Sequence, residues 1–146
     1  MDRHQSRLDL ATRFGATATL SGDPTTFAAQ MQELTGGGTD YAFDTTGNAA
    51  VVRSLYEGMN NLGTLGMAGV GFGDITFDFL SMIGGRTITG VMEGDSTRAS
   101  SSSIGRAECG RRLPFDELIT TFAIDQINDA EAASASGEVI KPVLLF

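Results

Sequence analysis

The chain has 146 residues, 41% of them hydrophobic and 19% charged, which suits one ordinary domain and excludes a disordered tail. Its net charge of −8 excludes a general binder of nucleic acid or anionic membrane, because both depend on clustered Lys and Arg. A single cysteine, Cys109, excludes an intrachain disulfide, and one His with one Cys excludes a zinc site of three or four N and S ligands. No apolar stretch approaches the ~20 residues that cross a bilayer, and no early apolar run resembles a signal peptide, so a cytoplasmic location is expected.

Along the chain, Leu8, Ala11 and Phe14 recur at helical spacing and predict an amphipathic helix over 5–14, with Gly15 as its terminator. Residues 16–20 read as a short strand. Asp23-Pro24 joins an N-cap residue to a proline suited to the first helical position, and Phe27, Met31 and Leu34 share one face of the helix that follows. Gly36-Gly37-Gly38 ends that helix and delivers the chain to a strand over 40–44. Val51, Leu55 and Met59, flanked by Val52 and Leu62, give a third helical stripe before a strand over 63–70. Ile88 stands between β-favouring threonines in a strand over 86–92, at the sheet edge. Residues 125–136 form an Ala-rich helix stopped by Gly137, and 139–146 close the chain as a strand that Pro142 confines to an edge or an irregular point. Helices alternating with short buried strands imply an α/β fold with a parallel sheet.

Two stretches carry the functional signal: DYAFDTTGN at 40–48 and GTLGMAGVG at 63–71. Each is a short apolar run that ends in small residues, which is how the strands of a dinucleotide-binding sheet let a flat cofactor lie across their carboxyl ends. No Gly-x-Gly-x-x-Gly occurs, and the chain opens at Met1-Asp2-Arg3, where the second strand of such a fold would be ending. The segment 98–112 (RASSSSIGRAECGRR) is discordant. It holds four of the ten basic residues and keeps neither a helical nor a strand period, so it reads as a surface loop or, less simply, as a basic patch for phosphate.

In order and spacing, DRHQSRLDLATRFGAT at 2–17, ELTGGGTDYAFDTTGN at 33–48, NNLGTLGMAGVG at 60–71, GGRTITGVMEGDS at 84–96, LPFDELITTF at 113–122 and SGEVIKPVLLF at 136–146 resemble the medium-chain zinc-dependent alcohol dehydrogenases. The aryl (benzyl) alcohol dehydrogenase branch is the nearest. The resemblance implies an incomplete Rossmann-type doubly wound parallel sheet that lacks the first strand and most of the second. On that reading 1–146 is a partial dinucleotide-binding domain with a C-terminal tail returning toward an absent catalytic domain, which would carry the zinc. Matching text stops at Ser96 and resumes at Leu113 with the spacing kept, as a pair of compensating frame shifts across 97–112 would produce.

The resemblance also assigns roles. Asp2 matches the acidic residue that accepts hydrogen bonds from the adenosine ribose and favours NAD over NADP, and Arg7 a basic residue that reaches the same ribose. A helix N-cap explains Asp2, and an exposed helix charge Arg7, about as well. Thr45, Thr46 and Gly47 match the end of the fourth strand of the family's sheet, and Ala68, Gly69 and Val70 the end of the fifth, beneath the nicotinamide. Plain turns account for either set. Val91 and Glu93 match positions whose backbone holds the carboxamide, and Lys141 one that contacts the pyrophosphate, though a lone Lys near a terminus also suits solvent. No catalytic and no metal-binding residue is expected in this chain; His4 flanks the first helix and Cys109 lies in the discordant segment.

The activity implied is hydride transfer between a primary, aromatic alcohol and NAD, with the chain inactive alone and its NAD binding weakened by the missing glycine-rich turn. In the strand order 3-2-1-4-5-6, loss of the first strand would part the third from the fourth and leave 40–44 with an unpaired edge, so self-association or a homo-oligomer is expected. The alternative is a non-catalytic dimerisation or interaction module, or a vestigial product.

Overall fold

The computed structural model describes residues 1–92 and 115–146. They fall into two compact units, one of Met1–Thr19 with Thr97–Phe146 and the other of Leu20–Ser96.

The second unit opens on a capped turn. The Asp23 carboxylate accepts from the Thr25 amide and hydroxyl at 2.9 and 2.8 Å, and Pro24 begins the single 3-10 turn that leads into helix α2 (Phe27–Thr35). Those bonds hold the Asp23 carboxyl below its usual value, so the cap is in place at neutral pH and is lost as pH falls through that lowered value. Gly36, in the left-handed region at φ 73, closes α2. Strand β1 (Thr39–Asp44), helix α3 (Ala49–Glu57) and strand β2 (Met59–Met67) follow, then a short helix α4 (Phe79–Ile83) and strand β3 (Thr87–Gly90).

The order is β1-β2-β3, parallel throughout, as the alternation of helices and strands predicts. Period-two alternation decides which side chains are buried. Ala42 and Leu65 pair in register and face α3, where Val52, Leu55, Tyr56, Met59 and Met31 complete the core. Tyr56 packs against Phe77 with ring centroids 4.5 Å apart and lies 5.2 Å from the Arg86 guanidinium. On the opposite side of the pleat Tyr41 is 82% and Phe43 57% exposed. Gly66, opposite Phe43 in the register, is small enough for the Phe43 ring; a Cβ there would come within 2.9 Å of it.

Strand β2 begins earlier than its hydrophobic pattern predicts, at Met59 and not at 63, and ends at Met67. The pairing with β1 shifts between Thr39 and Tyr41, because Asn60 to Gly63 bulge out of register. Asn60 makes the bulge affordable: its side chain donates to the Gly38 carbonyl at 3.3 Å and to the Asp40 carboxylate at 2.9 Å. Leu62, in the bulge, has φ 63 and is 79% exposed. Helix α4, which the spacing of apolar residues does not announce, starts where Asp78 caps the amides of Leu80 and Ser81.

The first unit contains helix α1 (Gln5–Arg13), a 3-10 turn (Phe115–Leu118), strand β4 (Ile119–Ala123), helix α5 (Ile127–Ser136) and strand β5 (Lys141–Leu145). Strands β4 and β5 pair in parallel through α5, a β-α-β unit, and Pro142 sits in a two-stranded sheet where its missing N–H is tolerated. Among its described residues Leu8, Ala130 and Val139 are the buried apolar ones. His4 stands at the N-cap of α1 and its ring lies against Gly137, which ends α5 at φ 80.

Two expectations are corrected. Met59 and Leu62, read with the third helical stripe, lie in β2. Residues 16–20 form no strand, because an extended run becomes one only when a neighbour accepts its hydrogen bonds and none pairs with it here. Strand β4 has no counterpart in the pattern reading, since Ile119-Thr-Thr-Phe alternates too briefly to stand out. The discordant segment 97–112 lies outside the described residues.

Leu62→Gly is expected to raise stability by up to about 1 kcal/mol, because a left-handed backbone costs Leu roughly 1–2 kcal/mol and the exposed side chain loses little packing. Urea denaturation measures it; a lower midpoint would show that the Leu62 side chain contributes more than its strain costs.

Candidate functional site

The carboxyl ends of β1 and β2 carry a hydrogen-bonded polar network. Asp44, the last residue of β1, is 1% exposed. Its Oδ1 accepts from the Thr46 amide at 3.1 Å and the Thr46 hydroxyl at 2.6 Å, and its Oδ2 accepts from the Gly47 amide at 2.8 Å. The Thr46 hydroxyl in turn accepts from the Asn48 amide at 3.0 Å, and the Asn48 side chain caps α3 by accepting from Ala50 and Val51. A continuous chain of hydrogen bonds therefore runs from strand to helix.

The turn after β2 is tied to the same residue. The Asp44 carbonyl accepts from the Ala68 amide at 2.8 Å and the Gly69 amide at 3.1 Å. At this junction backbone lies on backbone. A Cβ at Gly69 would fall 2.6 Å from the Thr46 nitrogen, and one at Gly71 would fall 2.9 Å from the Gly47 carbonyl carbon. Gly47 also adopts φ 64, which disfavours any side chain. A cleft of about 260 Å³ opens beside this junction, lined among others by Asp44, Gly47, Met67, Gly69, Gly71 and Gly90. It lies at the carboxyl ends of all three parallel strands, the side on which open α/β sheets bind their ligands.

Of the residues expected at the site, Gly47 and Gly69 line the cleft, and Thr45, Thr46, Ala68 and Val70 flank it on the same two turns. The Thr46 hydroxyl is fully engaged within the turn, whereas Thr45, Ala68 and Val70 are exposed. Val91 is half-buried just beyond β3, its amide donating to the Met67 carbonyl at 2.8 Å. Glu93 lies outside the described residues. Asp2, Arg7 and Lys141 belong to the other unit. There Asp2 accepts from the His4 amide at 2.9 Å and lies 3.8 Å from the Arg7 guanidinium. It is not the N-cap of α1, a place taken by His4, because the helix starts two residues later than an Asp2 cap would need. Lys141 is exposed at the start of β5.

Sequence reasoning passed over Asp44, although an acidic residue followed by Thr-Thr-Gly at a strand end is the signature of a side chain that folds back onto the turn. A larger groove of about 520 Å³ runs beside α3, lined by Arg53, Glu57 and Asp74 among others. Arg53 is already paired with Glu57 at 2.8 Å, which raises its pKa, and the groove presents no reactive pair. Among the described residues no group of three His, Cys, Asp or Glu side chains is placed to hold a metal ion, and no helix is long and apolar enough to cross a membrane.

Parallel strands with glycine-lined turns at their carboxyl ends define a Rossmann-type α/β protein. The chain belongs to the zinc-binding dehydrogenase family, whose model matches residues 1–105. It is 34% identical, over its full length, to geraniol dehydrogenase of Castellaniella defragrans, and it spans 40% of that protein. Among solved structures, an alcohol dehydrogenase zinc-binding domain protein from Burkholderia ambifaria matches with a TM-score of 0.90 and 36% identity, covering 98% of this chain and 40% of its own. Benzyl alcohol dehydrogenase from Acinetobacter calcoaceticus matches with a TM-score of 0.89 and 31% identity, covering 98% and 41%.

Gly69→Ala tests the junction. Gly69 does not adopt a positive φ, so the substitution acts through overlap with the turn after β1 and not through backbone conformation. A loss of about 1–3 kcal/mol is expected, as for other overpacked sites, and is read from the thermal midpoint. An unchanged midpoint would mean that the two turns separate at no cost.

Proposed function

We propose that this chain is the NAD-binding part of an alcohol dehydrogenase. The observation that carries the reading is the glycine-to-glycine junction of the turns after β1 and β2, beside a cleft at the strand ends. A side chain on any of these glycines would thicken the rim over which a flat nicotinamide nucleotide lies. In this reading Thr45, Thr46, Gly47, Ala68, Gly69 and Val70 form that rim, and the backbone at Val91 and Glu93 holds the carboxamide. Asp2, Arg7 and Lys141 keep the ribose and pyrophosphate roles that family likeness gives them.

When bound, the nicotinamide accepts or donates the hydride. This chain's own residues bind and orient it, and among the described residues none is assigned as a proton donor or acceptor for the alcohol. Its one His and one Cys do not make the donor set of a catalytic zinc, so no step through that metal is assigned to it. By likeness to benzyl alcohol dehydrogenase the proposed substrate of the whole enzyme is a primary, aromatic alcohol; geraniol is primary but not aromatic, so likeness to geraniol dehydrogenase supports the primary alcohol alone.

NADH titration of the 146-residue chain, followed by nucleotide fluorescence, is expected to show saturable binding, weakened by the lack of a glycine-rich phosphate turn. Absence of saturation at about 1 mM, an affinity worth only about 4 kcal/mol, would overturn the reading.

A second reading, a non-catalytic interaction module that self-associates, draws support from the exposed Tyr41 and Phe43 on one face of β1. Sedimentation velocity is expected to show assemblies larger than a monomer, reduced by Tyr41→Lys; a monomer for the unaltered chain at tens of micromolar would count against it.

A further inference from the structure

Among the described residues Asp44 is the one buried carboxylate. A carboxylate removed from water is costly unless donors surround it, and a residue needed only for packing beside Ala42 would be apolar. Three donors meet Asp44 instead, and all three come from the turn that immediately follows it. Its carbonyl holds the amides of Ala68 and Gly69, the start of the other turn. One residue thus fixes both walls of the junction, the first through its side chain and the second through its backbone.

We propose that Asp44 is a positioning residue for the nucleotide: its carboxylate locks the Thr45 to Gly47 turn in the one shape that leaves Gly47 flat against Gly69 and Gly71 at the cleft. This rests on the nucleotide-binding reading above. The Thr46 and Gly47 amides point inward to Asp44, so neither is offered to a ligand, and the Thr46 hydroxyl is spent between Asp44 and Asn48. The turn acts through its shape and through what remains outward, the Thr45 side chain and the Gly47 backbone. Asn at position 44 is the same size but replaces one acceptor by an NH2 group, so one of the three bonds becomes a donor facing a donor.

Asp44→Asn and the unaltered 146-residue chain are titrated with NADH at a temperature where circular dichroism shows both folded. The expected result is binding weakened about tenfold or more, the loss of one charge-assisted hydrogen bond. Equal binding by a folded variant overturns the proposal, whatever happens to its thermal midpoint, because a purely structural role moves the midpoint alone. Amide hydrogen exchange of the unaltered chain needs neither ligand nor variant. Thr46 and Gly47 are expected to exchange about tenfold or more slowly than unprotected amides; unprotected rates at both overturn the proposal even where Asp44→Asn does not fold. Failure of the unaltered chain to bind NADH overturns the nucleotide-binding reading and this proposal together. A chain that binds, with a variant that binds equally, overturns this proposal alone.

Discussion

Parallel pairing of β1 with β2 sets their carboxyl ends side by side, and the candidate site depends on how closely the two departing turns can approach. Adjacent parallel strands are about 4.8 Å apart, which leaves no room for side chains where both backbones curl toward each other. Glycine at 47, 69 and 71 is the steric answer, and the Asp44 carbonyl supplies the bonds that hold the approach. The cleft at the strand ends exists because these turns fold back in place of running on. Helix α3 is tied into the same arrangement through Thr46 and Asn48, so its axis and the turn are fixed together.

This arrangement also explains why a short chain can keep the family's local geometry. The Asp44 side-chain bonds are local, its carbonyl bonds to Ala68 and Gly69 stay within the second unit, and the strands of that unit pair with their immediate successors. Its core of Met31, Val52, Leu55, Tyr56, Met59 and Leu65 draws on α2, α3 and β2, all within one continuous stretch. The Burkholderia ambifaria structure, more than twice as long, matches 98% of this chain with a TM-score of 0.90. By contrast, the far side of β1 presents Tyr41 and Phe43 to solvent, since parallel sheets are ordinarily covered on both faces.

The two candidate regions differ in kind. At the strand ends the important groups are backbone amides and glycines, so chemistry there is a matter of shape, and substitutions act through sterics. Near the start of the chain the groups are charged side chains, Asp2 and Arg7, 3.8 Å apart and partly exposed, where solvent weakens their attraction. The physical demands on each are separate.

The helix over 27–35, the existence of a helix carrying Val51 and Leu55 though not its end at Glu57, the strand before Asp44 and the stops at Gly36 and Gly137 were legible in the sequence, because periodicity, an N-cap and a left-handed glycine are local properties of the chain. So was the small-residue character of 45–47 and 68–71. The absence of a strand at 16–20, the early start of β2 behind its bulge and the existence of β4 were decided by tertiary structure. A strand is defined by what its backbone pairs with, and no local pattern contains the partner. Asp44 shows the same division. Its side chain was visible as one more polar residue at the end of an apolar run, whereas its burial and its three donors arise only when the turn folds back over it, which is a property of the folded chain and not of any residue type.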